Sequence, residues 1–140
     1  MKLVIDTDVV VAAIRSPSGA SAALLVALLN RRAEMLLSVA MVLEYEATCL
    51  LPEHRLAANA SADQIQNVLD ALIDVATPVE VHYQWRPQLT DPGDEMVLEA
   101  AVNGGANAIV TFNQRDYKDA PSRFGIAVLT PGETLRRLMP

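Results

Sequence analysis

The sequence predicts an α/β fold, an α/β/α sandwich whose central, mostly parallel sheet has about five strands. Three observations carry that expectation. Short apolar runs recur along the chain, longer segments of helical pattern separate them, and Gly, Pro, Ser or Asn stands at most boundaries. Strands buried on both faces read as continuous apolar runs, and intervening helices provide the crossovers a parallel sheet requires.

The run at 2–5 is a first strand, ended by Asp6, and 9–14 continues as helix up to the break Ser16-Pro17-Ser18-Gly19. Residues 20–32 are rich in Ala and Leu and predict a helix, and 34–37 predict a second strand. Ser38 is placed to cap a helix over 39–51. A polar loop is expected at 52–60, then a helix to Val75 that opens on Ser61-Ala62-Asp63-Gln64 with apolar residues at helical spacing. After Pro78 comes a third strand at 79–81, then a loop, and a helix over 94–103 stopped by Gly104-Gly105. Strands at 108–111 and 126–129 and a closing helix at 131–138, with Pro131 at its start, complete the pattern.

At 140 residues the chain is expected to form one domain over 1–140. A domain of that size buries about 68% of the surface its unfolded chain exposes, and 51% hydrophobic with 20% charged residues excludes disorder. Cys49 is the single cysteine, so no internal disulfide forms, which fits a reducing compartment. The apolar run at 20–29 is half the ~20 residues of a membrane span. Asp6 and Asp8 interrupt what would otherwise resemble a leader segment. The expectation is a soluble cytoplasmic protein without membrane contact. A net charge of −6 argues against a general nucleic-acid binder, which carries a basic patch. Carboxylates gathered around metal ions would remove that objection, so a phosphate substrate is not excluded.

In an open α/β sheet, ligands bind outside the carboxyl ends of the strands. The first strand ends in Asp6-Thr7-Asp8, the fourth in Thr111-Phe112-Asn113 with Asp116 following, and the helix after the third strand opens on Asp91-Pro92-Gly93-Asp94-Glu95. Glu44 lies a turn or so inside the helix after the second strand. A parallel sheet puts all of these at one edge, where their repulsion calls for a hard divalent cation. Each has a plainer reading. Asp6 or Asp8 could cap a helix, Asp91, Asp94 and Glu95 suit a helix N-terminus, and Asp116 is unremarkable in a polar loop. Glu44 is unexpected on an apolar helix, but local pattern does not choose between it and Glu46. The convergence carries the expectation.

Other chemistries lack support. Cys49 reads as a core residue. His54 and His82 have no zinc-ligand spacing, Gly104-Gly105 is a helix stop, and Tyr45, Tyr83 and Trp85 read as packing residues rather than a base-stacking platform.

The chain resembles PIN-domain proteins of the subgroup that serve as toxins of toxin–antitoxin systems, the VapC-like ribonucleases. The resemblance rests on Val4-Ile5-Asp6-Thr7-Asp8-Val9, on Ser16-Pro17-Ser18-Gly19 before a long helix, and on Ser38 with Glu44 six residues later. It continues through Asp91-Pro92-Gly93-Asp94, Ala100-Ala101, Gly104-Gly105-Ala106 and Ile109-Val110-Thr111 with Asn113 and Asp116. The resemblance implies a catalytic and metal-binding set of Asp6, Glu44, Asp94 and Asp116, and selects Glu44 over Glu46 by its spacing from Ser38. Asp8 stands where the family often has Asn, and Asn113 where many members have Asp. Asp8, Asp91, Thr111 and Asn113 are therefore accessory candidates, and Arg15 and Arg115 are candidate RNA contacts.

The implied activity is an Mg²⁺- or Mn²⁺-dependent endoribonuclease, with a cognate antitoxin as partner and homodimerisation expected. A bound ion would activate water for in-line attack on the phosphodiester, leaving a 5′-phosphate. Two alternatives stand beside it. Asp6-Thr7-Asp8-Val9 also fits the first motif of HAD-like phosphatases, with Asp6 as nucleophile, although Lys2 and Lys118 are the only lysines to steady a phosphoryl intermediate. The other is a catalytically silent PIN-like binding module.

Overall fold

The computed structural model describes residues 1–84, 86 and 88–139. Five parallel strands form one sheet in the order β3-β2-β1-β4-β5, with β1 Lys2–Ile5, β2 Glu34–Leu37, β3 Thr77–Pro78, β4 Ala108–Val110 and β5 Ala127–Leu129. The order reverses between β1 and β4, so the crevice at their carboxyl ends is the topological switch point of the sheet. Leu3, Val4 and Ile5 of β1 and Ala108, Ile109 and Val110 of β4 are fully buried. That burial is why these segments are apolar throughout and do not alternate.

The helices are α1 Thr7–Arg15, α2 Ala20–Leu29, α3 Val39–Cys49, α4 Pro52–Ala58, α5 Ala62–Val75, α6 Pro92–Gly104, α7 Ala120–Arg123 and α8 Pro131–Leu138. Their starts follow the local chemistry. Ser38 accepts the Met41 N–H, Ser61 and Gln64 form a reciprocal capping box, and Thr130 and Glu133 form another ahead of α8. Among the described residues no single helix is long and apolar enough to cross a membrane.

Gly105 ends α6 at φ +66°, in the left-handed region where a Cβ is strained. Gly105→Ala is expected to cost about 1–2 kcal/mol, with Gly105→Asn costing less, read from chemical unfolding midpoints.

Four expectations need correction. The third strand is at Thr77–Pro78 and not 79–81. It pairs with the last two residues of β2, Leu36 and Leu37, and only the Val79 N–H reaches back to Leu37 beyond it. Pro78 is tolerated because β3 is an edge strand. The segment 52–60 is not a loop. Pro52 at the first helical position and Asn59 in the left-handed conformation (φ 51°) bound α4. None of its side chains is buried, and for that reason it lacks the apolar periodicity by which helices are found. The helix expected to run to Arg32 stops at Leu29, where Asn30 caps it and Arg31 turns left-handed at φ 57°. Finally, a 3-10 turn at Gln114–Tyr117 and the short α7 occupy the segment between β4 and β5 expected to be irregular.

Candidate active site

The β1–β4 register builds the centre of the site. Ile5 pairs with Val110, the ladder continues through the Asp6 N–H to the Val110 carbonyl, and Asp6 and Thr111 therefore leave adjacent strands side by side. The Thr111 hydroxyl donates to Asp6 Oδ2 at 2.9 Å, and so does the Tyr117 hydroxyl, also at 2.9 Å. Asp6 Oδ1 accepts the Thr7 N–H at 2.8 Å and caps α1. Asp6 is thus both a helix cap and the buried centre of the acidic group.

Asp8, one residue into α1, reaches across to the segment after β4. Its Oδ2 accepts the Phe112 N–H at 3.0 Å and the Asn113 amide at 3.1 Å, and lies 3.3 Å from the Thr111 hydroxyl. Its Oδ1 is buried without a hydrogen-bond partner. A buried orphan carboxylate oxygen is costly in an empty site and useful where a cation can meet it.

The aspartates feel one another. Burial raises the Asp6 carboxyl, opposed by its hydrogen bonds from Thr111, Tyr117 and Thr7, while Asp91 adds repulsion. Burial and the charge of Asp6 push Asp8 up to about 6. Asp94 is also pushed up to about 6, by burial and then by Asp6, Asp91 and Asp116, eased by the polar Tyr117 hydroxyl nearby. No cationic side chain figures among the leading influences on any of the three. The 3-10 turn carries Asp116 on its exposed side and Tyr117 buried between Asp6 and Asp94.

Asp6, Asp8, Asp91, Asp94 and Asp116 are therefore brought into one electrostatic group. Asp91 is the N-cap of α6, accepting the Gly93 N–H at 2.7 Å, and Asp94 lies in that helix's first turn. Glu44 comes from a different element, α3. It accepts the Thr48 hydroxyl at 3.2 Å, and its charge is felt at Cys49. Glu46 points to another neighbour, accepting from Gln66 of α5 at 3.0 Å. The flanking Tyr45 is buried and donates to the Ile5 carbonyl beneath the site. Among the described residues, no three His, Cys, Asp or Glu side chains stand close enough together to hold a metal ion as they lie. The donor set nevertheless suits one: hard oxygen ligands, a free lone pair on buried Asp8 Oδ1, and mutual repulsion among the carboxylates.

Thr111 and Asn113 spend their polar atoms on the carboxylates, with the Asn113 N–H donating to the Thr111 hydroxyl at 3.0 Å. Arg115 lies on the exposed side of the 3-10 turn, whereas Arg15 is at the far end of α1, 3.4 Å from His54 Nδ1. Sequence reasoning missed Tyr117. It follows Asp116 directly in a polar loop, and only the 3-10 geometry turns it inward. It also missed the support given to the approach to α6. Buried Glu95 accepts the Gln88 and Leu89 N–H groups at 2.6 and 2.7 Å, and buried Glu99 receives both Arg86 Nε and Nη2 at 2.8 Å. These bonds fix the loop that delivers Asp91.

Of the aromatic residues expected to pack, Tyr45 does, and Tyr83 is instead exposed over 65% of its surface. Trp85 lies outside the described residues. Cys49 is buried as expected, its thiol pushed up to about 12 by burial and the neighbouring Glu44. For the phosphatase alternative, Lys2 begins β1 at the opposite edge of the sheet, and Lys118 lies 3.3 Å from the Thr90 hydroxyl.

Fold and site together define the class, a parallel α/β sheet with aspartates, Asp6 buried among them, gathered at its switch point. The PIN-domain family model matches residues 2–115, and the chain belongs to that family, whose members are nucleases that generally use divalent metal ions. Asp116 lies one residue beyond the matched stretch. The fold is also that of a chain in the crystal structure of VapBC2 from Rickettsia felis bound to a DNA fragment from their promoter. That chain is 14% identical with a TM-score of 0.60, over 93% of this chain and 98% of the other. Comparison with curated proteins gives no match.

Proposed function

We propose that this protein is a divalent-metal-dependent endoribonuclease and the toxin of a toxin–antitoxin pair. The observation that carries the reading is the group of five aspartates at the switch point, uncompensated by any leading cationic influence and including a buried carboxylate oxygen without a partner. Mg²⁺ or Mn²⁺, held by Asp6, Glu44, Asp94 and Asp116 with Asp8 and Asp91 as accessory carboxylates, would activate water and offset the phosphate charge.

The chain's own part is preorganisation. Thr111 and Tyr117 fix the Asp6 carboxylate from two sides, and Asn113 with the Phe112 N–H fixes Asp8. Tyr117 gives its hydroxyl proton to Asp6 and lies near enough to Asp94 to act on its carboxyl. Arg115, exposed on the 3-10 turn beside Asp116, would meet a phosphate next to the scissile one. Arg15 is the ninth residue of α1, about 12 Å from its start, and would meet RNA well beyond the cut.

The antitoxin partner is supported by the likeness to a chain of the VapBC2 complex. An apolar groove lined by Ile14, Leu25, Val26, Leu29, Ile65 and Val68 offers such a partner a seat. Homodimerisation is supported by Val39 and Leu43, one turn apart on α3 and 75% and 60% exposed. A cytoplasmic location is part of this proposal and is compatible with the free Cys49 thiol.

The test is incubation of the purified protein with end-labelled single-stranded RNA in Mg²⁺, in Mn²⁺ and in EDTA. Internal cuts bearing 5′-phosphates with either metal and none in EDTA are expected. RNA left intact under all three conditions, with any copurified antitoxin removed and a pool of unrelated sequences offered, would favour the silent binding module.

A further inference from the structure

We propose that Phe112 is the base-stacking residue of the site, holding the nucleobase next to the scissile phosphate; this rests on the ribonuclease reading. Phe112 directly follows buried Thr111, whose hydroxyl donates to Asp6, and its own N–H donates to Asp8 Oδ2 at 3.0 Å. Its backbone is therefore pinned on both sides by the acidic group, and its Cα lies ~3.8 Å from that of Thr111. Yet 52% of the residue is exposed. A ring that faces solvent from an anchored backbone, one nucleotide's reach from the carboxylates, can receive a base without reorganisation.

The charge balance shows why such a residue is needed. Nucleic-acid affinity ordinarily comes from cations on phosphates, but this chain has 11 Lys and Arg against 17 Asp and Glu. Several of those cations are already engaged. Arg86 pairs with Glu99, Arg123 with Asp119, Arg55 with the Leu50 carbonyl, and Lys118 with Thr90. Stacking is independent of net charge and of base identity, and contributes about 1–3 kcal/mol per base.

Among the described residues, the other exposed aromatics are in the wrong place. Tyr83 is held by its backbone to Asn103, near the C-terminal end of α6, whereas the aspartates are at its start. Phe124 comes just before β5, at the amino edge of the sheet. An isolated exposed apolar residue is ordinary on a protein surface. What distinguishes Phe112 is the fixing of its main chain by the site's own carboxylate.

The experiment measures equilibrium binding of a fluorescent eight-nucleotide oligoribonucleotide, and of its fully abasic counterpart, to wild type, Phe112→Ala and Phe112→Trp. Ca²⁺ replaces Mg²⁺, and gels confirm that the probe stays intact. The expected result is a loss of roughly 5- to 150-fold in Phe112→Ala for the base-bearing probe, no change for the abasic one, and affinity retained in Phe112→Trp. Equal binding by wild type and Phe112→Ala overturns the proposal, as does an equal loss for both probes, which would mark a structural role. A wild type that cleaves RNA yet binds both probes alike overturns the stacking alone. A wild type that neither binds nor cleaves overturns the stacking together with the ribonuclease reading.

Discussion

Asp94→Asn is expected to lower metal-dependent RNA cleavage at least about 100-fold, a loss at the upper end of what supporting groups around metal ligands cause. Asp94 is the point where the group converges, coupled to Asp6, Asp91 and Asp116. Asn keeps the shape and the place in the first turn of α6 while removing one negative charge. Asp91→Asn is the control. Asn also caps helices well, so the α6 start should persist, and Asp91 is the exposed member of the pair. Its loss is expected to be below about tenfold, in line with an accessory carboxylate. Single-turnover cleavage rates at saturating Mn²⁺ give both numbers, with circular dichroism confirming that each variant is folded.

The second large effect is on stability, and its sign is opposite to that of a salt-bridged acid. Asp8 and Asp94 have folded values near 6, against 3.8 for the ordinary carboxyl. The folded protein then holds protons that the unfolded chain has released. This contribution is fully present below about pH 4 and is lost as pH rises through 4–6. At pH 7.5 the metal-free protein carries the whole repulsion. Metal-free Asp94→Asn should therefore be more stable than wild type at pH 7.5, by about 1 kcal/mol once solvent screening of a half-exposed group is allowed for. The difference should vanish toward pH 4. Part of the gain is offset because a carboxylate near a helix N-terminus is itself favourable. Chemical unfolding of both proteins in EDTA across pH 4–8 reads the difference directly. A constant difference across that range would mean the carboxyls are not strained by one another.

The same residues show how far a sequence can be read. The buried strands were legible because burial on two faces leaves nothing polar in them, and Asp6 was conspicuous because it ended one. Ser38, Ser61 and Gly105 announced helix ends through their own chemistry. Helix α4 was hidden because it buries nothing, and β3 was displaced because Val79 and Val81 outweighed Thr77-Pro78 in a pattern that cannot see where β2 ends. At the site, the five aspartates could be collected from parallel topology alone. Thr111 could be placed at the same edge, but Tyr117 and the Phe112 N–H could not be assigned to these carboxylates, since they come from beyond β4, over 100 residues from Asp6 and Asp8 in sequence. Glu44 over Glu46 rests on a family spacing; in the structure each carboxylate has a hydrogen-bond partner, Thr48 and Gln66 respectively.

The most direct test of the central claim, that the aspartates at the switch point form a cation site, is a calorimetric titration of Mn²⁺ into the metal-free protein at pH 7.5, beside Asp94→Asn. Saturable binding to wild type at one or two ions per chain, accompanied by a higher unfolding temperature and strongly weakened in the variant, is the expected result. No saturable binding to wild type, or the same isotherm for both proteins, would contradict it.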